Sequence, residues 1–439
     1  MAEMRPAVEM KDSGIEWVGQ IPRDWRVVPI RSCFDEVIEK NKDGLVKNAL
    51  KFTYGEIVPK TNFNAEEDDY VADTILNYYV VYPGTIMING LNLNFDYITQ
   101  RTGLVKEKGI ITSAYVGIAP KDSFVTLPEF MNYLFKAYDY RMAFHNMGGG
   151  VRKILNYTRL KSQMVCFPDL AEQQAIADYL DDRCSKIDEI IAEATASIEE
   201  YKELKQAVIF EAVTKGLDKT VPMKKSNVGW IDTVPCSWNV GKLRLLAEFY
   251  NGDRSSRYPS GDDIKSEGII FVTSNNLGNI RLNIDSSTNK YITKEKYDEL
   301  GGAKLRIDDI VFCLRGSVGK CSINKLFDAG TIASSLVVIR PKKIYPDYLN
   351  YVLQTSRITD EAIVSAIGIG SANLAAHDIS EFFVPVPSIV EQREIVDYLD
   401  VCVGEMDSLI SEKQSLISDL QAYKKSLIYE VVTGKRRVV

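Results

Sequence analysis

The sequence predicts an α+β fold: two mixed α/β units separated by a pair of long antiparallel α-helices, a coiled coil, arranged about an internal pseudo-twofold axis. Three observations predict it. The 439-residue chain repeats itself, for Lys11-Asp12-Ser13, Trp17, Pro22, Trp25 and Arg31 return as Lys224-Lys225-Ser226, Trp230, Pro235, Trp238 and Arg244. Pro168, Glu172-Gln173, Ile176 and Asp178 to Asp181 return as Pro387, Glu391-Gln392, Ile395 and Asp397 to Asp400, and Glu211, Val213 and Thr214 return as Glu430, Val432 and Thr433. Heptad-like spacing follows the second box in both copies, while the stretches between the boxes differ. A repeat this long is a duplication and not a solenoid.

In chain order, residues 1–26 form the first Trp-Pro-Trp box. Residues 27–166 form the first insert. There Thr85 to Ile88, Gly109 to Ser113 and Val116 to Ile118 are strand-like, Pro128 to Tyr140 is helical, and Gly148-Gly149-Gly150 marks a loop. A long helix is expected over 167–216. It opens on a capping box, Asp169-x-x-Glu172, continues through Ile187, Ile191, Ala194, Ile198 and Tyr201, and stops at Gly216. Residues 217–238 hold a linker and the second box. Residues 239–385 form the second insert, with strands at Asp309 to Phe312 and Val337 to Ile339, a helix at Pro346 to Gln354 and a loop at Gly368-Ile369-Gly370. Residues 386–439 carry the second helix, capped by Ser388-x-x-Glu391, striped by Met406, Ile410, Ile417, Leu420, Leu427 and Val431, and ended at Gly434. The inserts are expected to share one fold with divergent surfaces.

About 45 residues at 1.5 Å rise make a helix of about 65 Å. Its apolar stripe needs burial, and the other copy is the available partner. Related by a twofold, the two helices run antiparallel, the first box docks where the second helix ends, and the chain termini come together. Lys205 and Lys424 fall near the seam. Their stems are expected along apolar surface with the ammonium groups in water.

Net charge is −7, yet residues 30–165 hold 16 Lys/Arg against 15 Asp/Glu and residues 240–385 hold 18 against 17. The acidity sits mostly in 170–220, with 6 cations against 12 carboxylates, so the inserts are compatible with nucleic acid. Seven scattered cysteines without a C-x-x-C, no signal peptide and no membrane-length apolar run point to the cytoplasm. Cys313 and Cys321 read as core residues, since no further ligand stands at metal spacing.

Catalytic patterns fail one by one. His145 and His377 occupy non-equivalent places and lack a triad or H-E-x-x-H context. Gly316 to Lys320 lacks the spacing and the Ser/Thr of a phosphate loop, with Cys321 in that place. No Asn-Pro-Pro-Tyr or Asp-Pro-Pro-Tyr exists to hold a target base. Glu172 and Glu391 are explained as capping residues. Binding residues are easier to find, because Arg, Lys and Asn read base edges and Ser, Lys and backbone amides hold phosphates. The candidates are Asn89, Asn92, Asn94, Arg101, Arg152 and Lys153 in the first insert. In the second they are Arg254, Arg257, Arg315, Ser317, Lys320 and Asn373.

The run Ala212-Val213-Thr214-Lys215-Gly216-Leu217, then Val221-Pro222-Met223-Lys224, Ser226, Trp230, Pro235 and Trp238, resembles the centre of the specificity subunits of type I restriction–modification systems. Pro168 to Gln173 with Asp178-Tyr179-Leu180, and its second copy, do the same. The resemblance implies target recognition domains at 27–166 and 239–385, each reading one half of a split double-stranded DNA sequence. It implies no catalytic centre or metal in this chain, and assembly with two methyltransferase subunits and with restriction subunits. S-adenosylmethionine, ATP and Mg belong to those partners. Asn227 and Gly229 depart from the Gly14 and Glu16 of the first box, and the first insert shows no counterpart of the Arg315–Lys320 loop. An orphan DNA-binding regulator and a coiled-coil protein-interaction scaffold are the alternatives. If the helices act as a ruler, inserting four residues near Ala194 changes the preferred spacer and leaves both half-sites intact.

Overall fold

A computed structural model describes residues 3–61, 75–98, 100–122, 125–278, 280–283, 289–366 and 374–438. The chain divides into two compact units. Unit 1 holds residues 1–195 and 414–439, and unit 2 holds 196–413. Each therefore takes part of both long helices. Among the described residues no helix is long and apolar enough to cross a membrane.

Unit 1 is built on a four-stranded antiparallel sheet of β1 (Phe34–Glu36), β2 (Ile86–Ile88), β3 (Thr102–Leu104) and β4 (Val116–Pro120), in the order β3-β2-β4-β1. The run Ile86-Met87-Ile88 is wholly buried, as a central strand covered on both faces requires. Helix α1 (Pro128–Tyr140) starts with proline in its first turn and turns Phe130, Met131, Leu134 and Phe135 into the core. Helix α2 (Leu170–Lys215) follows.

Unit 2 repeats the frame with β5 (Ala247–Asn251), β6 (Ile310–Cys313), β7 (Cys321–Ile323) and β8 (Leu336–Pro341), in the order β7-β6-β8-β5. Helix α3 (Pro346–Leu353) matches α1, and α4 (Ile389–Val432) matches α2. The two sheets have the same order and the same antiparallel pairings, so the expected shared insert fold is present. Asn227 stands at φ +59° where Gly14 has +69°, so the departure in the second box keeps the same left-handed turn, which Asn tolerates.

The long helices run antiparallel within each unit. In unit 1, Lys424 of α4 pairs with Asp188 of α2 at 2.6 Å, and Ile187, Leu427 and Val431 are buried together in one core. In unit 2, Lys205 pairs with Asp407 at 2.6 Å and Lys413 lies over the ring of Tyr201, so rising numbers on one helix meet falling numbers on the other. This corrects the expectation for Lys205 and Lys424. Their ammonium groups do not simply reach water but close equivalent cross-helix ion pairs, because an aspartate stands one helix width away in each unit.

The junctions at the helix ends are also twins. Gly434, at φ +70° past the end of α4, abuts Pro22 and Trp25. Gly216, at φ +73° past the end of α2, abuts Trp238 and Glu391. Trp25 Nε1 donates to Glu172 at 3.2 Å and Trp238 Nε1 to Glu391 at 2.9 Å. The capping boxes are thus half realised. The backbone N–H groups of Glu172 and Glu391 donate to Asp169 and Ser388, while the two carboxylates accept a buried indole. In unit 1 the strand Glu3–Met4 pairs with Arg436–Arg437, so the chain ends meet as expected.

Candidate DNA-reading loops

The sheet of each unit places one hairpin loop at the same topological position. Strands β2 and β3 are joined by residues 89–101, and strands β6 and β7 by residues 314–320. A second loop braces each hairpin. Leu155 N–H donates to the Gly90 carbonyl at 2.9 Å in unit 1, and Leu374 N–H donates to the Leu314 carbonyl at 3.1 Å in unit 2. The expectation that the first insert has no counterpart of the Arg315–Lys320 loop is therefore corrected. The counterpart exists but differs in length and chemistry, so no residue-by-residue likeness shows in the sequence.

In unit 2 the hairpin presents Arg315, Ser317 and Lys320 to solvent. The turn is closed by Gly319 N–H to Cys313 O at 3.2 Å and Lys320 N–H to Ser317 O at 3.2 Å. Cys313 and Cys321 are buried at its base, as expected of core residues. Arg254 and Arg257 are exposed on another loop, which Asp253 anchors. Its carboxylate accepts from Ser255 N–H at 2.6 Å and Gly301 N–H at 2.8 Å, and the Ser255 hydroxyl first, then these two N–H groups, hold its pKa down to about 2. Asn373, with Gly368-Ile369-Gly370, lies outside the described residues.

In unit 1 Asn92 is exposed and Asn89 and Asn94 are half-buried on the hairpin loop. Arg152 and Lys153 are exposed on the neighbouring loop, whose Lys153 carbonyl accepts from Leu93 N–H at 3.3 Å. The structure thus brings Asn92, Asn94, Arg152 and Lys153 to adjoining loops. It removes Arg101 from the set. That side chain is 1% exposed, and its guanidinium donates to the carbonyls of Asn89 at 3.1 Å, Leu91 at 2.8 Å and Asp96 at 2.7 Å. A buried guanidinium whose two terminal nitrogens are held by backbone carbonyls is a brace for the loop and not a contact offered outward.

Below the loop, Asp139 of α1 accepts from Arg101 N–H at 2.7 Å and from Gln100 Nε2 at 3.3 Å. Burial raises its pKa to about 6, against the lowering effect of those hydrogen bonds. His145 is buried, stacks on Tyr97 with centroids 5.0 Å apart and meets the Asp96 carbonyl through Nε2 at 2.8 Å, a structural use that fits its lack of a catalytic context.

Sequence reasoning missed the polar contacts that tie each insert to its helix. Tyr133 donates to Asp181 and Tyr351 to Asp400, both at 2.6 Å. Burial and the facing carboxylate push both phenols well above their ordinary pKa. Gln173 accepts from Leu127 N–H at 2.9 Å, and Gln392 accepts from Tyr345 N–H at 2.7 Å. Asp181, Asp400, Gln173 and Gln392 all lie inside the repeated boxes, which was the available signal.

The chain matches the family described as "Type I restriction modification DNA specificity domain" twice, over residues 22–200 and 235–417. It is 22% identical to the type I restriction enzyme MjaVIII specificity subunit of Methanocaldococcus jannaschii, covering 95% of this chain and 94% of that one. It is 28% identical to the EcoBI specificity subunit of Escherichia coli over 64% of this chain and 60% of that protein. A chain from a solved structure described as the basis of complex assembly and conformational transition of the type I R-M system has a similar fold. There the TM-score is 0.69 at 16% identity, covering 94% of this chain and 99% of that one.

Proposed function

This chain belongs to the family of type I restriction–modification DNA specificity domains, and on that premise we propose that its two units each read one half of a split DNA target. The chain is the non-catalytic specificity subunit of a type I system, working with modification and restriction subunits. One observation carries the two-part reading. Sheets of identical strand order hold hairpin loops of different chemistry, 89–101 and 314–320. A preserved frame with dissimilar tips suits a device that recognises two unlike sequences. Arg315, Ser317 and Lys320, with Arg254 and Arg257, are the contact candidates of unit 2. Asn89, Asn92, Asn94, Arg152 and Lys153 are those of unit 1. Two methyltransferase subunits bind the chain, S-adenosylmethionine, ATP and Mg belong to the partners, and the complex works in the cytoplasm.

The test is a genome-wide map of methylated adenines in cells with and without this chain. The expected result is a bipartite motif with an unspecified spacer that disappears with the chain. The double variant R315A/K320A should relax one half of the motif and leave the other intact. A single uninterrupted motif, or relaxation of both halves together, overturns the proposal.

A further inference from the structure

The tip of the unit 1 loop is apolar. Phe95 is 77% exposed, Tyr97 55% and Ile98 96%, and Val151 on the adjoining loop is 98% exposed. Scattered exposed apolar residues need no explanation, but a contiguous group on a braced loop does. Arg101 holds three of the loop's carbonyls from below. Tyr97 is stacked on buried His145, Phe95 N–H donates to Asn92 O at 3.1 Å, and Ile98 N–H donates to the Asp96 carboxylate at 3.1 Å. The tip is held out with its shape already set, which lowers the ordering cost of binding.

Charge indicates what the tip meets. The only carboxylate of residues 89–101, Asp96, turns toward Arg101 at 3.7 Å. Arg152 and Lys153 stand exposed on the loop alongside. An apolar tip beside a loop that carries two exposed cations fits a groove walled by phosphates. Phenyl and sec-butyl groups cannot hydrogen-bond base edges, and the one apolar group on the major-groove edge is the 5-methyl of thymine.

We propose that Phe95 and Ile98, supported by Tyr97 stacked on His145, form an apolar reading head by which unit 1 recognises thymine 5-methyl groups in the major groove, whereas the equivalent hairpin of unit 2 reads its half-site through Arg315, Ser317 and Lys320. The proposal rests on the DNA-reading function above and names the specificity-determining side chains within it.

The experiment uses the full chain assembled with its methyltransferase subunits and a duplex carrying the mapped recognition sequence. Each thymine is replaced in turn by deoxyuridine, which removes the methyl and nothing else. Binding should weaken about fourfold per contacted methyl, the value of burying one such group, and in one half-site only. The variant F95S/I98S should abolish that sensitivity, while R315A/K320A should retain it. Unchanged binding at every deoxyuridine position overturns the proposal. So does sensitivity that survives in F95S/I98S, or an affinity loss in that variant with no thymine dependence, which would assign the tip to base unstacking. A complex that binds no duplex specifically defeats the DNA-reading function itself, a different failure.

Discussion

Replacing Arg101 by methionine keeps most of the side-chain volume and removes every donor. Three carbonyls, of Asn89, Leu91 and Asp96, then lose a charged partner. Hydrogen bonds to a charged group contribute about 1.5–3 kcal/mol each, but they do not add fully. Asn89, Leu91 and Asp96 are all half-buried, so water reaches them in the variant. Arg101 Nε is itself buried without a hydrogen-bond partner, which already lowers the net contribution. The expected loss is about 2–4 kcal/mol, the cost of leaving three carbonyls without their donor, reduced by the water that reaches them. The loss should be local, appearing as faster amide hydrogen exchange in residues 89–98 while the amides of β2 and β4 keep their protection. R101K should recover part of it, since one ammonium cannot span three carbonyls. DNA binding by the assembled complex should weaken at the unit 1 half-site and persist at the other. A phosphate contact would behave differently. Loss of one should reduce the slope of log K against log salt by about 0.9. A variant with wild-type exchange in the loop, weaker DNA binding and that smaller slope would refute the bracing role.

Two further perturbations test the frame. Alanine at Gly434 or Gly216 forces a left-handed side chain, costing about 1–2 kcal/mol at either site. Only at Gly434 does the new Cβ fall 2.4 Å from the Pro22 ring, against 3.2 Å from Trp238 at Gly216. G434A should therefore lose about 1–3 kcal/mol more than G216A in urea unfolding, and equal midpoints would count against the packed junction. Asp139, with its pKa raised to about 6 by burial, holds its proton in the folded state over a range where the unfolded chain has released it. The Asp139 contribution to stability should be fully present below about pH 4, fall by about 3 kcal/mol as pH rises to about 6, and then level off. D139N should flatten that decline, and a decline unchanged in D139N would refute the assignment.

The two readers show how far a sequence can be read. The strands Ile86–Ile88 and Ile310–Cys313 were legible as apolar runs, and α1 and α3 as proline-started helices. The loops between them were not. Asn92 and Arg101 look alike in a string as polar loop residues, yet one is exposed and the other is enclosed by carbonyls of its own hairpin. Lys205 and Lys424 show the same limit, because their partners Asp407 and Asp188 lie more than 200 positions away.

What the amino-acid string determined by itself was the frame: the duplication, the long helices with their start and stop signals, and the pairing that brings the chain ends together. Those features follow from short-range periodicity, capping at fixed offsets and the repetition of whole boxes, all of which are written locally. Only the tertiary structure decided which carboxylates hold the Trp25 and Trp238 indoles. It also decided that Arg101 braces and Phe95 projects, and that the 89–101 and 314–320 loops are counterparts. Burial and partner choice depend on segments distant in the chain, and nothing in the local pattern specifies them.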